Sequence, residues 1–374
     1  MHLFGYPVTL GRMPLRFAIM GTGKIAGKVT PYIQRAEGCR VVAAASRDAN
    51  RARAFASELG IGETADAGCT YDELLARDDI DAVYITLPNG DHPVWSERLL
   101  EAGKHVLCEK PLCWTRAQAE RLFEVAGANR RVLAEAFMYL HSPLTADAIA
   151  LARTAMHDPD ASPIGRLTKI VARFDISIED GWKDTPKSNI RYSRALVGGA
   201  LMDLGCYPVS FARTVTGETP ASLDASATMV DRFEGSPRDG SDAVDGAASL
   251  TGAFPSGVAF DLSCSMIEPM KDNGGRAPDV LARLIGDKGA AEIRDFPRPE
   301  RILLMGERIE GGEKWIDSPL ADPAEVYRLQ AESFARAAAE GGAAKPSGEW
   351  SIEQAGVLER ALEAIGLRFD EPGW

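Results

Sequence analysis

The stretch that most restricts this chain is "LRFAIMGTGKIAGK", Leu15 to Lys28. A short apolar run meets a glycine-rich turn, and a helical stretch then continues to about Glu37. A strand delivered through a tight glycine turn into a helix is the opening of a βαβ unit. The alternation persists. "RVVAAASR" (Arg40–Arg47), "DAVYITLP" (Asp81–Pro88), "KHVLC" and "RVLAEAF" read as strands. "ANRARAFASELG", "YDELLAR", "HPVWSERLLEAG" and "TRAQAERLFEVAGAN" read as helices. Strands alternating with helices predict a parallel sheet covered on both faces.

After Tyr139 the pattern changes. A helix is expected at about Leu144–Met156, followed by the strand-like pieces "RLTKIVARFDIS", "ASLDASATMV", "GAASLTGAF", "GVAFDLSCSM", "DVLARLIG", "GAAEIRD" and "RILLM". Gly, Pro, Asp and Asn turns separate them, which favours antiparallel pairing. Helices are expected again at about Pro323–Glu340 and Ser351–Leu367. Glu234–Gly246 is the best candidate for a mobile loop. The expected class is α/β: a Rossmann doubly wound parallel sheet, then an α+β domain with a large open, mostly antiparallel sheet. The expected division is a tail at 1–13, a first domain at 14–139 and a second at 140–374, C-terminal helices included.

The chain's length, 374 residues, suits two domains. Its net charge of −12 argues against bulk binding to nucleic acid or an anionic membrane, but leaves room for a local phosphate site. No apolar run reads as a membrane span, and the first dozen residues lack the order of a signal peptide. Six scattered cysteines without metal-ligand spacing predict no metal site and a reducing, cytoplasmic setting.

In an open α/β sheet, ligands bind beyond the C-terminal strand ends. That places Gly21–Gly23, Ser46–Arg47, Thr86–Asn89 and Cys108–Pro111 on one rim. Gly21 and Gly23, with Ala26, fit G-x-G-x-x-A. The turn Gly21, Thr22, Gly23, Lys24 and Ile25 is therefore expected to hold a pyrophosphate at a helix N-terminus. The second strand ends in Ser46-Arg47 rather than a carboxylate. A hydroxyl and a guanidinium suit a ribose 2′-phosphate, so NADP is expected in preference to NAD. The other reading of Arg47 is a solvated helix-cap residue.

The chain resembles the Gfo/Idh/MocA oxidoreductases from Pro14 onward. The resemblance rests on "GTGKIA", "LPNGDHPVW", "GKHVLCEKPL", "EAFMY" and "GGALMDLGCYPV", in that order. It implies a Rossmann domain joined to an open sheet that often forms dimers, and hydride transfer between NAD(P) and a carbinol of a sugar, cyclitol or related diol. It also implies that Lys110 lies beside the nicotinamide and the reacting oxygen, with Pro111 cis. A second catalytic position falls on Tyr207 of Asp203-Leu204-Gly205-Cys206-Tyr207. "GALMDLGCY" is most similar to the branch with dimeric dihydrodiol dehydrogenase, NADP-dependent xylose dehydrogenase and glucose–fructose oxidoreductase. The chain departs from the family where a triple glycine becomes Val197-Gly198-Gly199. It departs again where Y-R-x-H-P becomes Tyr139-Leu140-His141-Ser142-Pro143.

Lys110, Tyr207 and Asp203 are thus the candidate catalytic residues. Two proton acceptors stay open: Tyr207, with its pKa lowered by the Lys110 ammonium, or Lys110, lowered by partial burial near positive charge. Asp203 would face the same side of a helix as Tyr207, binding a substrate hydroxyl or orienting the lysine; a helix-dipole role is the alternative. Leu87, Pro88, Asn89 and Glu109 are expected to line the cofactor with Lys110. His92 is expected near it, or else as a core or capping residue. Trp182 and Arg191 are expected to border the substrate or to serve the scaffold. Three functions remain: a dehydrogenase or reductase, a glycosidase using its nicotinamide transiently, and a non-catalytic dinucleotide sensor. A homodimer through the open sheet is expected, because an uncovered sheet would expose an apolar patch.

Overall fold

The computed structural model describes residues 13–62, 67–178, 189–231, 239–267 and 280–371. The first sheet is built from β1 (Leu15–Met20), α1 (Lys24–Arg35), β2 (Cys39–Ser46), α2 (Ala49–Glu58), β3 (Gly68–Thr70), α3 (Tyr71–Leu75), β4 (Ala82–Ile85), α4 (His92–Glu101), β5 (His105–Cys108), α5 (Arg116–Ala128) and β6 (Leu133–Glu135). Its strand order is β3-β2-β1-β4-β5-β6. Every pair is parallel. Order reverses between β2-β1 and β4, so the C-terminal ends of β1 and β4 open the crevice where a doubly wound sheet takes its ligand. The three-residue β3 is too short to show any period, and nothing in the sequence marks it.

The second half runs through α6 (Pro143–His157), β7 (Leu167–Asp175), α7 (Cys206–Thr216), β8 (Ser222–Val230), β9 (Val244–Ala253), β10 (Ala259–Ser265), β11 (Val280–Gly286), β12 (Gly289–Arg294), β13 (Arg301–Gly306), β14 (Glu313–Asp317), α8 (Val326–Glu340) and α9 (Gly348–Ala364). Eight strands form one sheet, ordered β14-β13-β12-β11-β7-β10-β9-β8. Only β7 and β10 run parallel; the other pairs are antiparallel. The edge strand β14, "EKWID", is mostly exposed and lacks an apolar face, which hides it from a reading by periodicity. The segment Glu234–Gly246 lies partly outside the described residues, and its last three residues belong to β9.

Sheet register explains which face carries the helices. One row across all eight strands reads Ile316, Ile302, Ile293, Ala282, Ala172, Leu262, Leu250, Ala225. This apolar row packs against α6, α7 and α9. The neighbouring row points the other way and reads Trp315, Leu303, Glu292, Arg283, Val171, Asp261, Thr251, Asp224. Lys169 pairs with Asp261, and Glu292 pairs with both Arg283 and Arg294. Among the described residues, this row therefore mixes apolar and charged side chains rather than forming the expected apolar patch, and several of its charges are paired.

The C-terminal helices bind the halves together. Helix α8 packs on α1, with Phe334 against Phe17 at 5.8 Å between ring centres. Helix α9 packs on both α5 and α7. Arg116 at the start of α5 pairs with Glu353 of α9. Arg213 of α7 donates to Gln354, whose amide donates to the Cys206 carbonyl. The run Arg194–Thr216 has the length and hydropathy of a membrane span, yet it is mostly buried in this core.

Candidate active site

The cofactor rim follows from two glycines with different tasks. Gly21 adopts φ +103°, and a Cβ there would lie 2.6 Å from Thr86 Oγ1. It makes the turn and lets β1 meet the end of β4. Gly23 N-caps α1 without a side-chain cap, and a Cβ there would meet nothing within 4 Å. The result is a helix N-terminus open to an approaching anion. Thr22 and Ile25 are partly buried and Lys24 is exposed at this turn. Ser46 is buried at the end of β2, and Arg47 beside it is exposed. These residues fit a dinucleotide: a diphosphate cradle at Gly23 and a hydroxyl–guanidinium pair at the ribose end.

Leu87 and Pro88 lie half-buried on the rim. His92 is buried beneath them. Its Nε2 lies 2.9 Å from the Leu87 carbonyl and its Nδ1 2.7 Å from the Pro111 carbonyl. Burial pushes its pKa down to about 4, against the pull of both carbonyls. The neutral ring has one N–H, so it donates to one of these carbonyls and packs against the other, between the two loops. Glu109 also turns inward. Its carboxylate accepts from the buried Tyr84 hydroxyl and from the Lys110 backbone N–H. Asn89 donates across the molecule to the Val197 carbonyl at 2.9 Å.

Lys110 projects from the turn after β5, where the Lys110–Pro111 bond is cis. Its Nζ donates to the Asp203 carbonyl at 2.6 Å and to Asp203 Oδ1 at 3.3 Å. Arg191 Nε donates to Asp203 Oδ2. Asp203 lies in a π-helical turn, Leu201–Gly205, that leads into α7. Such a turn breaks the usual i→i−4 ladder and is frequent at functional sites. Here it presents the Asp203 carbonyl, as well as its carboxylate, to the lysine.

The electrostatics differ from expectation. Burial opposes the Lys110 ammonium most strongly, but Asp203, Cys206 and Glu109 together outweigh it and Lys110 stands above the ordinary lysine value. Burial likewise opposes the Asp203 carboxylate, but Arg191 and Lys110 hold it below the usual carboxylate range. Lys110 is thus not lowered by burial near positive charge. Nor does it lower Tyr207. The Tyr207 ring lies under the ammonium, 4.9 Å from Nζ to its centre, while its hydroxyl reaches Met138 Sδ at 3.5 Å. Phe137, Tyr139, Phe174 and Phe296 surround the ring. Burial raises this phenol well above its ordinary value. Trp182 lies outside the described residues.

The structure adds residues that the motifs do not mark. Asp245 of β9 is fully buried, and its Oδ2 accepts the Leu201 N–H at 2.6 Å. It caps the helix bearing Asp203 from another element, since Ala200 provides no side-chain cap. A Cβ on Gly199 (φ +109°) would fall 2.0 Å from Asp245 Oδ1, and one on Gly198 would fall 2.5 Å from the Arg191 carbonyl. The glycine pair exists for these two approaches. The only sequence signal for Asp245 is a carboxylate within the apolar run after Ala243. Val197, where the family has glycine, sits in the left-handed region at φ 55°, ψ 49°. For a β-branched residue this costs on the order of 1–3 kcal/mol. Glu135, the acid of "EAFMY", accepts the Leu112 N–H at 3.0 Å and so braces the turn that carries Lys110.

Comparison with known proteins agrees with this geometry. Residues 15–137 match the "Oxidoreductase family, NAD-binding Rossmann fold" and residues 159–292 match the "GFO/IDH/MocA C-terminal domain". A D-xylose 1-dehydrogenase (NADP(+)) of Haloferax volcanii is 33% identical, over 94% of this chain and 96% of the relative. A dTDP-3,4-didehydro-2,6-dideoxy-α-D-glucose 3-reductase of Streptomyces violaceoruber is 33% identical over 93% and 92%. A crystal structure of a 3-ketoreductase from Actinomadura kijaniata, in complex with NADP and TDP-benzene, superposes with TM-score 0.75 at 29% identity. It covers 94% of this chain and 98% of its own. This is a Rossmann-type oxidoreductase with an appended open sheet. The chain belongs to the Gfo/Idh/MocA family.

One stability prediction follows from the helix cap. Burial pushes the Asp245 carboxyl up to about 7. A raised carboxyl gives its full contribution below its unfolded value, near 3.9, and loses it as the pH rises through about 7. Asp245→Asn should remove this loss. From about pH 4.5 to about pH 8, wild-type unfolding free energy should fall by on the order of 3 kcal/mol more than the variant's, at about 1.4 per pH unit. Urea denaturation at the two values measures it, and identical pH dependence in both proteins would contradict the raised carboxyl.

Proposed function

We propose that this chain transfers a hydride between NADP and a carbinol or carbonyl carbon of a sugar, cyclitol or related diol. The observation that carries the reading is the Lys110 ammonium, held beside the cofactor rim by two of its three donors. NADP supplies the hydride acceptor or donor. The third Nζ–H of Lys110 remains for the reacting oxygen. Because Asp203 keeps Lys110 protonated, Lys110 gives a proton to a carbonyl during reduction and must first lose one for oxidation. Arg191, carried on the neighbouring loop, holds Asp203 from the other side and borders the substrate space. The Tyr207 ring supports the ammonium through its face. In this assignment Lys110 is the acid–base group and Tyr207 its platform.

Residues 14–139 hold the cofactor in this reading, and residues 140–374 shape the substrate side. Ser46 and Arg47 favour NADP. The relatives, an NADP-dependent xylose dehydrogenase and a reductase of a dTDP-linked keto sugar, support the substrate class. Buried thiols suit a cytoplasmic setting. The open sheet face is proposed as a homodimer contact; pairs such as Lys169–Asp261 and Arg283–Glu292 already offset part of its charge.

Turnover against a panel of aldoses, inositols and nucleotide-linked keto sugars, with NADP and NAD in parallel, tests the assignment. Lys110→Met should lower turnover by roughly 10²–10⁴-fold, the scale of a general acid–base group. Tyr207→Phe should retain turnover within about tenfold, since its hydroxyl faces Met138; a loss as deep as that of Lys110→Met would restore the tyrosine as a proton carrier. Oxidation should climb with pH toward the alkaline side while reduction declines.

For the cofactor, Arg47→Asp should weaken NADP by on the order of 2–3 kcal/mol and leave NAD nearly unchanged. Equal wild-type affinity for NAD and NADP would sink the 2′-phosphate assignment. For the assembly, light scattering at micromolar concentration should give twice the chain mass, and a monomeric mass would end the dimer proposal.

A further inference from the structure

The Asn89 side chain sits on the cofactor rim, yet its amide donor is directed away from the sheet crevice to the Val197 carbonyl, 2.9 Å away. Two further contacts show that this seam is built. A Cβ on Gly90 would lie 3.3 Å from the Ala195 carbonyl oxygen, so the Asn89–Gly90 turn packs tightly on the 3₁₀ turn Arg194–Leu196. Val197 follows in the left-handed region, with its side chain buried. A valine keeps that backbone only where its surroundings hold it. Beyond it, Gly198 N–H donates to the Ser193 carbonyl and Gly199 N–H to the Arg191 carbonyl. Those two bonds close the loop that aims Arg191 at Asp203.

We infer that Asn89 is a positioning residue, a latch from the cofactor half that holds residues 190–199 closed and thereby sets where Arg191 meets Asp203. It acts through Val197, whose unfavourable backbone gives the loop a reason to spring when the latch is absent. The inference rests on the proposed reading of Lys110 and Asp203 as the reaction centre. The latch itself is measurable without any substrate, so failure of that reading and failure of the latch are distinguishable.

Two variants test it on the full-length protein, with NADPH as the probe. Asn89→Ala removes the donor. Asn89→Asp keeps the shape but sets a carboxylate against a carbonyl oxygen, so at neutral pH it should open the loop further than alanine does. When that carboxyl is protonated it has an O–H to donate, so acid should restore the bond. In Asn89→Ala, amide hydrogen exchange at Gly198 and Gly199 should quicken by about tenfold, while NADPH affinity, read from its fluorescence, stays within about threefold. In Asn89→Asp, exchange corrected for intrinsic rates should be faster than in Asn89→Ala at about pH 7. It should return toward the wild-type value at about pH 4. NADPH binding weakened about tenfold or more with unchanged exchange would make Asn89 a cofactor ligand instead. Identical exchange in the two variants at both pH values would also overturn the latch.

Discussion

One carboxylate holds the proposed reaction centre together. Asp203 accepts from Lys110 on one oxygen and from Arg191 on the other, and its own carbonyl takes a second bond from Lys110. Its side chain and that of Lys110 are only about an eighth exposed, at 13% and 12%. Buried ions of this kind persist only when well paired, and removing one partner typically costs about 3–5 kcal/mol. The two cations come from opposite halves of the molecule: Lys110 from the end of the parallel sheet, Arg191 from the loop before the glycine pair. Asp203 therefore joins the halves at the point where cofactor and substrate would meet.

Everything around Asp203 works to place it. The π-helical turn frees its carbonyl, and Asp245 fixes the turn's N-terminus from the sheet. Gly205 allows that turn to press on β10, since a Cβ there would lie 2.8 Å from Cys264 Sγ. On the lysine's side, His92 and Glu135 brace the backbone of the turn at the Pro111 and Leu112 positions. The site's geometry thus comes mainly from backbone contacts made by buried polar groups, which are costly to leave unmade and so tolerate little movement.

The sequence discloses the scaffold more readily than the site. Gly21, Gly23 and Ser46-Arg47 are legible because a strand–turn–helix frame gives each a single place. The rows of the large sheet are legible too, because apolar residues such as Phe260, Leu262 and Cys264 of β10 recur with period two. Lys110 and Asp203 are legible through their motifs. The orientation of Tyr207 is not, because no spacing tells whether a phenol faces a lysine or the Met138 sulfur behind it. The same holds for Glu109, whose neighbour Tyr84 is distant in the chain. Asp245 acts on a helix more than forty positions earlier, and such long-range capping leaves no local pattern. The π-helical turn has no residue signature, so an ordinary helix is the natural but incorrect assumption for Asp203.

The return of α8 and α9 onto the first sheet also bears on how the chain is made. Phe17 of β1 packs against Phe334 of α8, an element made much later in the chain. The helix α5 waits in the same way for α9. The nucleotide-binding half is therefore complete in connectivity before β7 is made but incomplete in burial until α8 and α9 follow. A nascent chain halted after β14 would display the apolar flanks of α1 and α5, inviting chaperone capture until the closing helices arrive.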